Sequence, residues 1–208
     1  MSRLHDKRQR HDRFYREARK QRYAARSVFK LEQLDRRFRL LRGGRRVLDL
    51  GCRPGSWLQY AARRVGPSGF VVGLDRQPLE IALPDNAALV VGDVLELDPE
   101  QLRAALPGDG GCFSVVLSDM APDTTGVSFA DQVRSIELFR RALELADRLG
   151  CPRSSFVGKL LMGQDFAEVL GDLRRRYQQV KTVRPEATRR SSTEVYLVAR
   201  GRRGAPAG

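Results

Sequence analysis

The sequence predicts a doubly wound α/β domain built on a mostly parallel sheet. Three features carry that expectation. Short apolar, β-like runs alternate with helical segments through most of the 208 residues. A glycine-rich turn follows the first of those runs and opens a helix. Acidic residues recur where later runs end. Strand–helix alternation of this kind implies parallel strands joined by helical crossovers.

The elements follow in order. From Ser27 the pattern is helical: Val28, Leu31, Leu34 and Phe38 recur at three- and four-residue steps. Ser27 is the expected N-cap, and Gly43-Gly44 the expected end of that helix. Val47–Leu50 reads as a buried strand, and a helix is expected near 56–65. Phe70–Leu74 and Ala88–Val91 are the second and third strands, followed by a short helix near 99–105. Phe113–Leu117 is the fourth strand, ended by Ser118-Asp119. A long helix is expected near 129–149, with Val133, Ile136, Phe139, Leu143 and Leu145 on its apolar face. Ser155–Leu160 is the fifth strand, and 165–176 is helical. Two β-like runs near 178–184 and 193–199 are separated only by a loop, which predicts an antiparallel hairpin. The boundaries expected are a basic arm over 1–26, one domain over 27–201 and a disordered tail over 202–208.

Charge is unevenly distributed. The formal net charge of +13 divides into +12 over residues 1–46, −7 over 47–173 and +8 over 174–208. An acidic core with two basic ends excludes a chain that is basic throughout. It points to a polyanionic partner, most simply nucleic acid; a charged solubility tail is the plain alternative. Phe14, Tyr15 and Tyr23 lie among the arginines of the first segment, where either stacking on bases or packing suits them. Of the 38 basic residues 33 are Arg, so Lys30 and Lys159, set within core segments, stand out. Three scattered cysteines and two histidines indicate neither a disulfide framework nor a zinc site. The odd cysteine count suits a reducing compartment, so a cytoplasmic location is expected. No apolar run approaches the length of a membrane span, and neither a membrane nor a metal is expected as a partner.

The segment Asp49-Leu50-Gly51-Cys52-Arg53-Pro54-Gly55-Ser56-Trp57 follows the first strand. Glycines there let a ligand approach the backbone, and a helix N-terminus favours anionic groups. The spacing is neither the dinucleotide fingerprint nor a Walker loop. Asp75, Asp93 and Asp119 each follow a strand, so with Asp49 four acids converge on the sheet edge where ligands bind in such folds. A carboxylate at the end of the second strand suits ribose hydroxyls. A nucleoside-bearing cofactor is therefore expected, although each acid taken alone is an ordinary turn residue.

With Ser118-Asp119-Met120-Ala121-Pro122, this loop resembles the FtsJ/RrmJ-type ribose 2′-O-methyltransferases. The likeness runs from about Tyr23 to Gly201. It includes Arg26–Leu31, Val47–Trp57, Leu117–Pro122 with Gly126, Phe156–Lys159 and Ser192–Tyr196. It implies a single Rossmann-like methyltransferase domain with a mostly parallel seven-stranded sheet and a C-terminal antiparallel hairpin. It also implies S-adenosylmethionine as cofactor, contacted by Gly51, Gly55, Trp57, Asp75, Asp93 and Asp119. The family's Lys-Asp-Lys-Glu set stands here as Lys30, Asp119, Lys159 and Glu194, the implied catalytic residues. The layout is nearest the branch that methylates a uridine of large-subunit (23S) ribosomal RNA. Two loops depart from the family pattern. Cys52-Arg53 replaces a pair of small residues, and Cys151-Pro152-Arg153-Ser154-Ser155 stands where Pro-Gly-Gly is usual.

The expected chemistry is methyl transfer to a ribose hydroxyl, which needs in-line positioning and an acceptor for one proton. Lys159 is the expected acceptor, Asp119 orients it, and Lys30 and Glu194 position the ribose. The expected partner is RNA, within the large ribosomal subunit, acted on by a monomer. Two other readings remain: a tRNA ribose methyltransferase, and a non-catalytic RNA-binding assembly factor on the same fold.

Overall fold

The computed structural model describes residues 13–108, 111–122, 128–163, 165–188 and 192–204. Residues 1–12 of the expected arm, 205–208 of the expected tail and Gly126 lie outside the described residues. The apolar runs form seven strands: β1 (Arg46–Leu50), β2 (Phe70–Asp75), β3 (Ala87–Val91), β4 (Phe113–Ser118), β5 (Gly150–Leu161), β6 (Tyr177–Val183) and β7 (Glu194–Arg202). They make one sheet in the order β3-β2-β1-β4-β5-β7-β6. The five strands from β3 to β5 pair in parallel. β7 is antiparallel to both β5 and β6, so the expected hairpin inserts its second strand beside β5.

Six helices flank the sheet among the described residues: α1 (13–20), α2 (Val28–Phe38), α3 (Ser56–Val65), α4 (Pro99–Ala104), α5 (Ser128–Leu149) and α6 (Phe166–Arg176). Alternate strand residues serve opposite faces, as the two-residue period requires. Val47, Val71, Val115 and Val157 pack with Leu31, Leu34, Leu58 and Ala61 of α2 and α3. Leu48, Val72, Val116 and Phe156 pack with Leu102, Phe139 and Leu173 of α4, α5 and α6. Strand order reverses between β1 and β4. The carboxyl ends of those two strands therefore flank the crevice that doubly wound sheets use for ligands.

Several details depart from the sequence expectations. α2 ends at Phe38, where Arg39 takes a left-handed conformation (φ 53°) and its N–H bonds to Asp35 O; Gly43-Gly44 is a later turn. Ser27 stands at the N-cap but makes no side-chain cap. Its hydroxyl instead meets Ser56 Oγ at 2.9 Å. Val133 is 48% exposed, while Ile136, Phe139, Leu143 and Leu145 are buried as expected. β5 begins five residues early, because its register to β4 jumps from Phe113↔Gly150 to Val115↔Ser155. The residues that bulge out there bring Cys151 to Cys112, and the two form a disulfide. The expectation of no disulfide is thereby corrected. Adjacent starts of neighbouring parallel strands, 39 residues apart in sequence, create the pair. Cys52 is free and buried.

The described part of the expected arm packs on the domain. Ala18 is buried, Phe14 lies 5.4 Å from Phe29, and Tyr23 lies 6.4 Å from Tyr60 with Arg63 over its face. Tyr15 is half exposed. β7 runs to Arg202, one residue into the expected tail. No described helix is long and apolar enough to cross a membrane.

Candidate active site

The crevice outside β1 and β4 is a cavity of about 600 Å³, within the range of small-molecule sites. Gly51, Asp75, Asp93 and Asp119, all singled out in the sequence, line it, with Arg53, Met120 and Arg134. Gly51 has φ 72°, and a Cβ there would lie 2.6 Å from Met120 Cγ, so only glycine fits this turn. Asp75 accepts the backbone N–H groups of Arg53 (3.0 Å) and Gln77 (3.2 Å), one on each oxygen. Asp93 Oδ1 accepts from Leu95 N at 2.9 Å. These bonds fix the carboxylates while leaving lone pairs for a ligand.

Gly55 and Trp57 do not line the cavity. Gly55 (φ 108°) gives its missing side-chain space to Ile81. Trp57 points into the α2–α3 core, where its Nε1 donates to Ser27 O at 2.9 Å and its ring tilts against Tyr196 at 5.8 Å. Both support the wall from behind. Arg53 arches over the Asp75 side, its guanidinium held by Gln77 and Glu80.

Asp49 was grouped with the strand-end acids, but it is wholly buried under the glycine turn. Neither of its oxygens has a hydrogen-bond partner among the described residues. Burial first, then Asp119 and Asp75, push its pKa up to about 8. A bare-backbone turn, two anchored carboxylates and an orphaned buried carboxyl fit a cofactor carrying a ribose and cationic groups.

The Lys-Asp-Lys-Glu set converges beside this cavity. β7 pairs with β5 so that Lys159 faces Tyr196 and Leu161 faces Glu194. The two-residue period then puts Lys159, Tyr196 and Glu194 on one face, against which α2 presents Lys30. Lys159 Nζ lies 3.0 Å from Asp119 Oδ1 and 2.5 Å from Asp119 O. Lys30 Nζ lies 2.6 Å from Glu194 Oε1. All four side chains are partly buried, with exposures of 9–19%.

Tyr196 joins the two pairs, a role the sequence did not reveal. Its hydroxyl donates to Asp119 Oδ1 at 2.6 Å, and Lys30 Nζ stands 5.8 Å from its ring centroid. Burial, Asp119 and Glu194 hold the phenol well above its ordinary pKa, so it remains a donor. The available signal was its two-residue spacing from Glu194 on a strand. Among the described residues no group of His, Cys, Asp and Glu is placed to hold a metal.

A doubly wound sheet with a cofactor-sized crevice at its switch point, bordered by a lysine–carboxylate cluster, defines a methyltransferase-type α/β enzyme. A sequence model described as FtsJ-like methyltransferase matches residues 23–202. The chain belongs to the FtsJ-like methyltransferase family. It is 49% identical over 194 residues to a Sorangium cellulosum protein named ribosomal RNA large subunit methyltransferase E, covering 93% of this chain and 89% of that one. A Syntrophobacter fumaroxidans protein of the same name is 44% identical over 187 residues, covering 90% and 93%. The fold also matches a crystal structure from Plasmodium falciparum described as a ribosomal RNA methyltransferase. The TM-score is 0.77 at 23% identity, over 88% of this chain and 100% of that one.

Proposed function

We propose that this methyltransferase uses S-adenosylmethionine to methylate a ribose 2′-hydroxyl of RNA, in a uridine of large-subunit (23S) ribosomal RNA. The observation that carries the reading is the double position of Asp119. Its residue lines the cofactor cavity while its carboxylate and carbonyl hold Lys159. Proton acceptor and cofactor site are thus joined through one residue. The relatives' shared name supports the substrate class.

Gly51, Asp75 and Asp93 would hold the cofactor: the turn by its bare backbone, the carboxylates by their remaining lone pairs. When bound, the cofactor supplies a sulfonium methyl group. The protein's own task is to orient the hydroxyl and take its proton. An ammonium has three hydrogens, and Asp119 engages two of those on Lys159. The third position is left for the substrate. To act as acceptor, Lys159 first releases the proton at that position to solvent. The amine then presents its lone pair there, accepts the hydroxyl proton, and becomes again an ammonium paired with Asp119. The Lys30–Glu194 pair places a cation and a carboxylate beside the ribose without adding net charge. Tyr196 keeps Asp119 aimed. In this reading residues 27–201 are the catalytic domain, flanked by a basic arm (1–26) and a tail (202–208), and the protein acts as a monomer in the cytoplasm. That location rests on its ribosomal substrate and, given the Cys112–Cys151 disulfide, no longer on the cysteine count.

The test is methyl transfer from labelled cofactor to large subunits, free ribosomal RNA and tRNA from a strain lacking the activity. Label in large-subunit RNA is expected. Label confined to tRNA would replace the substrate. Cofactor binding with no label anywhere would favour an assembly factor on the same fold.

A further inference from the structure

We propose a second RNA site, a phosphate-binding groove at the opposite edge of the sheet from the active site. The groove has a volume of about 180 Å³ and is lined by Arg39, Arg42, Arg45, Arg153 and Arg200 with Gln179. The sheet itself gathers these residues. Arg45 precedes β1 and Arg153 lies near the start of β5. Arg200 lies near the end of antiparallel β7 and Gln179 near the start of β6. All belong to the edge where the parallel strands begin, whereas Lys159 and Glu194 lie toward the other end of β5 and β7. Ser155, which also lines the groove, and Lys159 are four residues apart on the regular part of β5, a span of about 13 Å.

No carboxylate lines the groove, and among the described residues none pairs with Arg39, Arg42, Arg153 or Arg200. Burial and the neighbouring cations Arg42 and Arg200 lower the pKa of Arg45, against a smaller opposing pull from Asp35 behind the groove. Like charges gathered this way repel one another unless an anion joins them.

The backbone supplies an independent sign. Three non-glycine residues among the described ones have positive φ, and two of them, Arg39 (φ 53°) and Arg153 (φ 62°), line this groove. At Arg39 that conformation is the C-cap that ends α2. At Arg153 no helix end requires it, and left-handed conformations of bulky residues are strained and concentrate at functional sites. Arg153 also stands in the loop where the family usually has Pro-Gly-Gly. The chain thus carries a guanidinium on a backbone that glycine would adopt without strain. Guanidinium forks match phosphate oxygens in a bidentate fashion. The groove has room for phosphate groups rather than for a folded peptide, and its floor of arginine and glutamine offers donors and little apolar surface. RNA reaching both edges would wrap the β5–β7–β6 side of the domain.

The ligand class rests on the RNA reading of the active site, and the experiment separates the two. Full-length Arg39→Gly/Arg153→Gly relieves the strained backbone while removing two charges, so misfolding does not explain a loss. Arg36→Ala/Arg175→Ala removes two exposed arginines outside the groove and matches the net charge. The probes are a single-stranded RNA oligonucleotide and, separately, inorganic phosphate. Each phosphate contact contributes about 0.7 to the logarithmic salt slope on single strands. The glycine pair should therefore lose about 1.4 from that slope, and the alanine pair much less. Between about 50 mM and about 200 mM salt, this is an affinity ratio changed by about sevenfold. Equal slopes for the parent and the glycine pair would overturn the groove. So would equal losses from the two pairs, which would assign the effect to net charge. Phosphate binding lost in the glycine pair, with an unchanged RNA slope, would mark a small-anion site and overturn the RNA assignment. A reduced slope in a protein that methylates no RNA would retain the groove and reject the proposed function.

Discussion

Asp49→Asn isolates the buried carboxyl beneath the cofactor turn. In the folded protein its pKa is pushed up to about 8 by burial and by Asp119 and Asp75; in the unfolded chain it is about 3.9. Between those values the folded state holds a proton that the unfolded chain has released. The contribution is therefore fully present below the unfolded pKa and is lost as pH rises through the folded one. Each pH unit in the window costs about 1.4 kcal/mol, so from about pH 5 to about pH 7 this group removes about 2.7 kcal/mol. Asparagine has nearly the same shape and does not titrate, so the variant escapes that loss while sharing every other one. A domain of this size shifts its melting temperature by about 2–4 °C per kcal/mol. The variant's advantage should accordingly widen by about 5–10 °C across that interval. Paired thermal unfolding of cofactor-free protein at the two pH values reads it directly. A gap that stays constant would refute a neutral carboxyl at this position.

The cofactor turn and the disulfide give sharper local tests. Gly51→Ala forces a side chain into a left-handed turn, 2.6 Å from Met120 Cγ. The strain alone is about 1–2 kcal/mol. S-adenosylmethionine affinity, measured by calorimetric titration, should fall at least about tenfold; parental affinity would contradict the turn's role. Cys112→Ser/Cys151→Ser opens a link spanning 39 residues. The chain-entropy cost is about 4 kcal/mol, which urea unfolding with and without reductant measures. Parent protein with identical midpoints under both conditions would contradict the pairing.

The parallel core was legible because its strands are short apolar runs, three of them (β2, β3 and β4) closed by an acid, and the longer helices carry a three-to-four-residue apolar step. Gly51, Asp75, Asp93 and Asp119 were legible for the same reason: topology alone sends strand ends to one edge. What escaped depends on register. The β4–β5 bulge moves Cys151 beside Cys112 and turns Arg153 into the basic groove, and no periodicity encodes such a jump. The side that Trp57 faces was not legible, because a residue in the first turn of a helix can face either the cofactor or the core. Packing against Tyr196 decides that choice. Tyr196 itself reads as one more strand aromatic until pairing with Lys159 brings its hydroxyl to Asp119. Ser27 failed as a cap because Ser56 competes for its hydroxyl.

The most direct measurement is single-turnover methyl transfer to large subunits, with the labelled RNA then hydrolysed in alkali. A methylated 2′-oxygen blocks cleavage of its own linkage, so label should remain in an alkali-resistant dinucleotide. Lys159→Ala should lose about 10²- to 10⁴-fold in rate while keeping its affinity for S-adenosylmethionine. Label released as a methylated base, or a Lys159→Ala rate near that of the parent, would contradict ribose methylation with Lys159 as the proton acceptor.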